Sequence, residues 1–291
     1  MYNLLAKHKL KSIHLMVIIL GFTGILGKLI TLETIHLVWY RMGFAFLSLA
    51  LFLLWKKQLF SVNRKHLFEI LGVGALVTIH WLCFFESIKV STVSIAVVCL
   101  STSSLFSALI EPVFFKRKLL IYEVIMGIMV VAALAFVMGT DTQYLWGYIY
   151  GIISALLGTL FTLFNAKYIK KVGAAQITMI EMLAGVLIIS VLLLFQKDFT
   201  VFTSLISISD FYYLIILSVL CTAIVFVWMT EIMRHISPYS LIMAINLEPI
   251  YSIILALLIF GNNELMSSSF YIGSSIIIGI VFLEGYLKNK Q

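Results

Sequence analysis

Stretches of about 20 apolar residues recur along the 291-residue chain, separated by short polar connections, and they limit its fold more than any other feature. One such stretch, coiled as a helix, crosses a hydrocarbon core about 30 Å thick. Charged residues make up 11% of the chain, whereas a soluble domain carries roughly 25%. The alternating segments of about ten residues that form barrel strands do not occur. The sequence therefore predicts an all-α membrane protein with ten transmembrane helices.

The predicted spans leave no segment long enough for a soluble domain. The first apolar run is a full span without a small-residue cleavage site, so we expect no cleavable signal peptide. The ten predicted spans are 13–31, 35–55, 68–88, 92–113, 121–139, 146–166, 174–195, 211–231, 239–260 and 269–287.

The positive charges are distributed very unevenly between the two sides of the predicted bundle. Of the 20 Lys and Arg residues, 16 fall in the terminal segments and in alternate connections on one side. Lys89 and Lys197 fall on the other side, and Lys28 and Arg41 lie within spans. Because cytoplasmic loops are enriched in Lys and Arg, both termini are predicted in the cytoplasm. The net charge of +7 thus indicates topology in a lipid bilayer, and no nucleic-acid partner is expected.

The two halves of the chain resemble each other in sequence. A shift of 146 residues lays 88–139 on 234–285 without a gap, and it pairs Ser91 with Ser237 and Gly127 with Gly273. We therefore predict two five-helix repeats, 13–139 and 146–287. Because five is odd, the second repeat must be inverted relative to the first. Inverted repeats are typical of secondary transporters, whose substrate site lies near the midplane between the repeats.

The stretch LEPIYSIILALLIFGNNEL, residues 247–265, resembles the second-repeat signature of the EamA-like branch of the drug/metabolite transporter (DMT) superfamily. In that family a Glu-Pro-aromatic stretch leads into an apolar helix that ends in Gly-Glu-Leu; here Asn262 and Asn263 intervene. The first-half stretches VWYR and HWLCFFESIKVSTVSIA are also similar to the family. The resemblance implies a metabolite carrier of a bacterial inner membrane, typically one that exports amino acids or related compounds.

Asn246, Glu248 and Pro249 interrupt the apolar ninth span near its centre. An acidic group at that depth costs about 2.5–3.5 kcal/mol on insertion scales. Pro249 has no N–H, so the carbonyl of Ile245 loses its helical partner and a kink is expected. Freed backbone groups are tolerated at membrane depth only against protein or a wet cavity. Two interpretations stay open: polar groups that bond neighbouring helices together, or the wall of a substrate cavity.

Further polar and aromatic side chains fall within the spans and are candidate cavity residues. Thr102 and Ser103 belong to a hydroxyl-rich stretch of the fourth span, although such hydroxyls can also bond their own helix. His80 and Trp81 of the third span could offer hydrogen bonding and stacking, and Tyr251 follows Glu248 by three residues. Ordinary packing is the alternative for each of them.

Two charged residues within spans, Glu181 and Arg41, are candidate counter-ions or coupling groups. They could pair with each other or with substrate, and Arg41 could instead extend to the membrane interface. For Glu248 two roles stay open. Desolvation favours its neutral form, which suits a proton relay, whereas a fixed carboxylate would bind a substrate ammonium group.

These observations favour a secondary transporter, with a small-molecule substrate, over the other protein classes. No ATP-binding pattern occurs, and Cys83, Cys99 and Cys221 lack metal-ligand spacing, so we expect no cofactor and no metal. Efflux of cationic drugs is the alternative within transport. A membrane-embedded enzyme would need a nucleophile with its base, and a non-transporting scaffold would leave the repeats unexplained. Homodimer formation stays open.

The predicted topology can be tested in a chain whose native cysteines are replaced by serine. Cysteines introduced at Thr142 and Asn262 should react with an impermeant maleimide applied to intact cells, because both belong to connections predicted outside. A cysteine at Arg117 should react only after the cells are permeabilised. Labelling at Arg117 but not at Thr142 in intact cells would reverse the predicted orientation.

Overall fold

A computed structural model of the protein describes residues 9–59, 62–198, 200–203 and 206–289. Their regular structure is helical and forms ten successive helical segments, here numbered spans 1 to 10. Spans 4, 8 and 9 each consist of more than one helix. The helices are Lys9–Leu29, Thr34–Trp55, Arg64–Val90, Val93–Leu100 with Ser103–Phe115, Ile121–Thr140, Leu145–Tyr168, Ala174–Gln196, Ile208–Ile215 continuing through Ile216–Ile224 into Val225–Ile232, Pro238–Ile245 with Glu248–Phe260, and Ser268–Asn289. Short helical turns lie at Thr142–Tyr144, Thr200–Thr203 and Gly261–Glu264.

The lengths and surfaces of these helices are those of a multi-pass membrane protein. Spans 2 to 9 are long and apolar enough to cross a bilayer, and spans 1 and 10 have shorter apolar parts, Ile13–Leu29 and Ser268–Glu284. Large apolar side chains such as Val113, Phe195 and Leu258 are about 80% exposed on the outside of the bundle, which suits contact with lipid tails rather than water. The predicted all-α membrane fold with ten helices is confirmed.

Hydrogen bonds between segments that are distant in sequence define the two ends of the bundle. At the basic end, which carries Lys56, Arg117 and Arg234, the Gln176 side chain donates a hydrogen bond to the Gln58 carbonyl over 2.7 Å. At the opposite end, hydroxyl groups bond carboxylates from distant connections: Thr31 to Asp210 at 2.7 Å and Ser267 to Asp141 at 2.6 Å. Which end faces the cytoplasm stays a prediction, and the terminal segments 1–8 and 290–291 lie outside the described residues.

Spans 4 and 9 are both broken, at positions that correspond in the two repeats. Span 9 ends its first helix at Ile245 and begins its second at Glu248, so the predicted interruption beside Pro249 is confirmed. Span 4 breaks at Ser101–Thr102 without a proline, which the sequence did not predict. There the Thr102 hydroxyl donates to the Cys99 carbonyl at 2.8 Å, a side-chain bond that competes with helical pairing. Discontinuous spans in corresponding positions are the architecture around transporter sites.

Span 8 contains a wide π-helical segment, Ile216–Ile224. The Thr222 hydroxyl donates to the Leu217 carbonyl, five residues earlier, over 2.7 Å. The same oxygen accepts a hydrogen bond of 2.7 Å from Nε of Arg41 in span 2. Single π-helical turns recur at functional sites, and this one fixes the only arginine of span 2.

Candidate functional site

A cavity of about 90 Å³ lies in the middle of the bundle, between the two halves of the chain. Ser103 and Glu248 line it, and each stands where the second helix of a broken span begins. The remaining lining comes from spans 1, 2, 3, 6 and 8 together with other residues of spans 4 and 9. Five of the predicted site residues line this cavity: Arg41, His80, Trp81, Ser103 and Glu248.

Arg41 is the cation of the cavity. Its side chain is 1% exposed, so Arg41 does not extend to the membrane interface. The guanidinium carbon lies 3.8 Å from the centre of the Trp81 ring and 5.2 Å from that of Phe85, and Nε donates to Thr222. Nη1 has no hydrogen-bond partner among the described residues. A buried charged donor without a partner is costly, so this nitrogen is well placed for an anionic group of a ligand.

Glu248 is the acidic residue of the cavity and is almost completely buried. It occupies the first turn of the helix Glu248–Phe260, where the helix dipole stabilises negative charge. Its carboxyl and the Arg41 guanidinium interact electrostatically. The carboxylate near Arg41 is therefore Glu248 and not Glu181. One cavity thus presents a guanidinium and a carboxyl group at membrane depth.

Aromatic rings form one wall of the cavity. Trp81 meets Phe226 edge-on at 5.0 Å, Phe226 stacks with Phe161 at 5.8 Å, and His80 meets Phe161 at 5.2 Å. Nδ1 of His80 lies 2.8 Å from the Ser154 carbonyl oxygen, which fixes the imidazole plane. Such a wall suits either an apolar substituent or a cationic group over a ring face.

Asn246 joins the two broken spans rather than lining the cavity. Its Oδ1 accepts a hydrogen bond from the Ser103 hydroxyl over 3.3 Å, and its Nδ2 donates to the Ser101 carbonyl over 3.4 Å. Spans 4 and 9 therefore meet at their breaks. Asn246 thus bonds a hydroxyl and a backbone carbonyl of span 4, which is the role of polar groups that hold helices together.

Four other predicted site residues stand away from the cavity wall. The Thr102 hydroxyl bonds its own helix, and Pro249 is buried behind Glu248. Tyr251 is half-buried and packs against span 1 near Gly21. Glu181 is completely buried in span 7. None of the four is among the residues that line the cavity.

Two buried carboxylates, one at each end of the bundle, hold the start of a span from the other half. At the opposite end, Glu264 accepts hydrogen bonds from the backbone of Val93 at 3.0 Å and of Ser94 at 3.3 Å, and it pairs with Lys28 at 2.6 Å. We call this set, with the Ser94 hydroxyl at 3.0 Å, the opposite-end clamp. Glu264 itself is fully buried.

At the basic end, Glu111 accepts a hydrogen bond of 2.7 Å from the backbone of Tyr239 and pairs with Arg117 at 3.1 Å. We call these three residues the basic-end clamp. Val93 and Tyr239 correspond under the shift of 146, so the same point of spans 4 and 9 is held in both halves.

Sequence reasoning missed both clamps. Glu111 is near Lys116, Arg117 and Lys118 in sequence, where a carboxylate needs no special explanation, yet it is 3% exposed. The shift of 146 pairs Glu111 with Leu257 and Glu264 with Lys118, so no repeat signal reveals their common role.

Comparison with known proteins agrees with this architecture. The sequence profile of the EamA-like transporter family matches residues 11–139 and 145–284. The chain belongs to the EamA-like transporter family. Both halves of this EamA-like protein are therefore EamA domains of the DMT superfamily. A solved crystal structure of a protein superposes with a TM-score of 0.71 over 96% of this chain and 96% of its own, at 14% identity; this likeness shows the fold alone. No curated protein matches the sequence.

Among the described residues, no group of three or more His, Cys, Asp or Glu side chains is close enough to hold a metal ion. The cavity takes its chemical character from the groups that line it. Its chemistry consists of one buried guanidinium, one buried carboxyl, a serine hydroxyl and a wall of rings.

The cavity position of Ser103 can be tested against its neighbour Ser104. In the purified protein without native cysteines, a small aqueous thiol reagent should modify Ser103→Cys, because position 103 lines the cavity. Ser104→Cys should stay unmodified, because Ser104 is fully buried and bonds the Ser101 carbonyl. Addition of the transported compound should slow the reaction at position 103. Equal reactivity at both positions would contradict the assigned cavity wall.

Proposed function

We propose that this EamA-like transporter is a secondary carrier that exports a small zwitterionic metabolite, of the amino-acid class, across a bacterial inner membrane. The observation that carries the proposal is the cavity itself, whose lining includes both the Arg41 guanidinium and the Glu248 carboxyl beside aromatic rings. The protein moves its substrate unchanged and performs no covalent chemistry.

The two charges of the cavity match the two charges of an amino acid. The free Nη1 of Arg41 can donate to a substrate carboxylate, and guanidinium–carboxylate bonds are among the strong hydrogen bonds. The Glu248 carboxylate can accept from the substrate ammonium group. The wall that contains Trp81 and Phe161 then contacts the remaining substituent. A small cavity suits a small metabolite more than a drug-sized compound, whose pockets measure roughly 300–1,000 Å³.

Substitution of either charged residue should weaken binding of a zwitterion. In exchange assays with sealed vesicles, Arg41→Gln and Glu248→Gln should each lower the apparent affinity about 10- to 100-fold, since a lost charged hydrogen bond costs about 1.5–3 kcal/mol. Glu231→Gln is the matched control, because Glu231 pairs with Arg234 within its own half at the basic end.

The control should exchange substrate with the parent's affinity. If both cavity variants also match the parent, substrate does not bind between Arg41 and Glu248, and the proposed site is wrong.

Efflux of an organic cation is the second candidate, and the aromatic wall beside Glu248 is the observation that favours it. The two candidates differ in their need for Arg41. A cationic substrate would gain affinity when Arg41→Gln removes a like charge, whereas a zwitterion would lose affinity. The same exchange assay therefore separates them.

The two clamps supply a physical route to alternating access. Each clamp joins the two halves of the chain through a buried carboxylate, and both are closed in this structure. Opening the cavity toward one end requires the halves to separate there, which breaks the clamp at that end. The cavity then stays closed by the clamp at the other end. In this account the carrier releases substrate outward by opening the Glu264 clamp and accepts it by opening the Glu111 clamp.

Weakening one clamp should shift the population toward the form that opens at its end. The reporter is Ser103→Cys in right-side-out membrane vesicles. Glu264→Gln should raise the labelling of this cysteine by an impermeant reagent added to the outer side. Glu111→Gln should lower the same labelling, because it favours opening toward the cytoplasm. Glu231→Gln again serves as control and should leave labelling unchanged. If both clamp variants raise the labelling, the two carboxylates stabilise the fold in general and do not close opposite ends of the cavity.

A further inference from the structure

A second buried polar cluster lies outside the cavity and takes no part in the site described so far. Both carboxyl oxygens of Glu181 lack a hydrogen-bond partner among the described residues, and so do Oδ1 of Asn165 and Oγ1 of Thr178. All three side chains are buried. The Asn165 side chain lies close to the Glu181 carboxyl, although no hydrogen bond of good geometry joins them. We call these three residues the Glu181 cluster.

The Glu181 cluster lies between the cavity and the basic end. Asn165 follows the cavity residue Thr162 by three positions on span 6, so it stands one helical turn nearer the basic end. Gly74 of span 3 passes so close to span 7 that a side-chain carbon there would stand 2.8 Å from the Glu181 carbonyl oxygen. This close packing closes one side of the cluster to lipid and water.

Within the described part of the chain, no charged group is paired with the Glu181 carboxyl. Asn165 is the one side chain that interacts with it electrostatically among the described residues. The charged and histidine side chains within or near the ends of spans 2, 3, 6 and 8 that have a recorded partner interact with groups other than Glu181: His36 with Asp198, Arg41 with Glu248 and Thr222, His66 with Glu69, His80 with Ser154, Glu86 with Thr34, Lys89 with the Ile30 carbonyl, Lys167 with the Phe114 ring, Asp210 with Thr31, and Arg234 with Glu231.

The cluster therefore contains carboxyl, amide and hydroxyl oxygens that make no hydrogen bond within the described residues. An ionised carboxylate in such surroundings is strongly unfavourable unless a positive charge accompanies it. A proton on the carboxyl removes the charge. A sodium ion could instead be coordinated by carboxylate, amide and hydroxyl oxygens, which are the ligands that hard cations take. Both are single positive charges, and both serve as coupling ions in carriers of this architecture.

We propose that the Glu181 cluster is the coupling-ion site, which binds one proton or one sodium ion separately from the substrate. The proposal rests on the proposed function, because coupling requires transport. It assigns different roles to Glu248 and Glu181: Glu248 contacts substrate within the cavity, and Glu181 carries the ion in the cluster beside Asn165. Ion occupancy then changes the charge at the contact of spans 3, 6 and 7, and so biases which end of the cavity opens.

The first test measures ion binding on the purified full-length protein without any substrate. If the ion is a proton, infrared difference spectra between acid and alkaline buffer should contain a band from a buried protonated carboxyl that Glu181→Gln abolishes. If the ion is sodium, NaCl should raise the melting temperature above that in choline chloride, and both Glu181→Gln and Thr178→Val should abolish the rise. Thr178→Val keeps the shape of its own side chain and leaves the Glu181 carboxyl in place. It therefore tests the sodium site even if Glu181→Gln folds poorly.

Absence of both signals in the parent, or their persistence in Glu181→Gln, overturns the ion site whatever the transport assays show. Glu248→Gln separates the two acids, because it should leave the ion signal in place.

The second test measures coupling in sealed vesicles, with an amino acid that the parent exchanges. An imposed pH gradient, or an imposed sodium gradient at equal pH, should make the parent accumulate the amino acid. Glu181→Gln should retain exchange and reach equal concentrations on the two sides. If the variant still accumulates substrate, Glu181 is not the coupling site. If the parent binds the ion but exchanges no zwitterion, the proposed function fails and the ion site stands.

Discussion

The hydrocarbon core of a membrane contains no water, and this constraint organises the whole protein. A charge or an unpaired backbone group within the core must be compensated by protein. In this chain Arg41 and Glu248 face the space between the halves, and the breaks of spans 4 and 9 meet at Asn246. The outer surface is left to apolar side chains such as Phe195. The residues that lipid would reject are thus gathered at the contact between the two EamA domains.

The sequence predicted those features of the fold that follow from local chemistry. Ten helices follow from ten apolar lengths, and the break of span 9 follows from the missing N–H of Pro249. The break of span 4 could not be predicted, because serine and threonine side chains fit a continuous helix as well as an interrupted one. Its position becomes evident only through the repeat, which pairs Ser101 with Leu247 beside Asn246.

The site was predictable in part, because depth alone does not say where a side chain points. Glu248 was identified from the sequence because an acidic group near the membrane midplane is energetically costly. Arg41 looked like an interface residue from its place near the end of span 2, but Thr222 of the π-helical segment and the Trp81 ring hold it inside. Glu111 and Glu264 bond backbone groups about 130 and 170 residues away in sequence. Pairings at that separation depend on the packing of complete halves, and no local pattern encodes them.

In this account the buried charged residues have three tasks. Arg41 and Glu248 recognise substrate, Glu111 and Glu264 close the two ends, and Glu181 binds the coupling ion. Its central claim is that a zwitterion bridges Arg41 and Glu248. An experimental structure with a transported amino acid bound tests this most directly. The account predicts the ligand carboxylate within hydrogen-bonding distance of Arg41 Nη1 and the ammonium group at the Glu248 carboxyl. A ligand bound elsewhere, with Arg41 and Glu248 paired directly to each other, would contradict it.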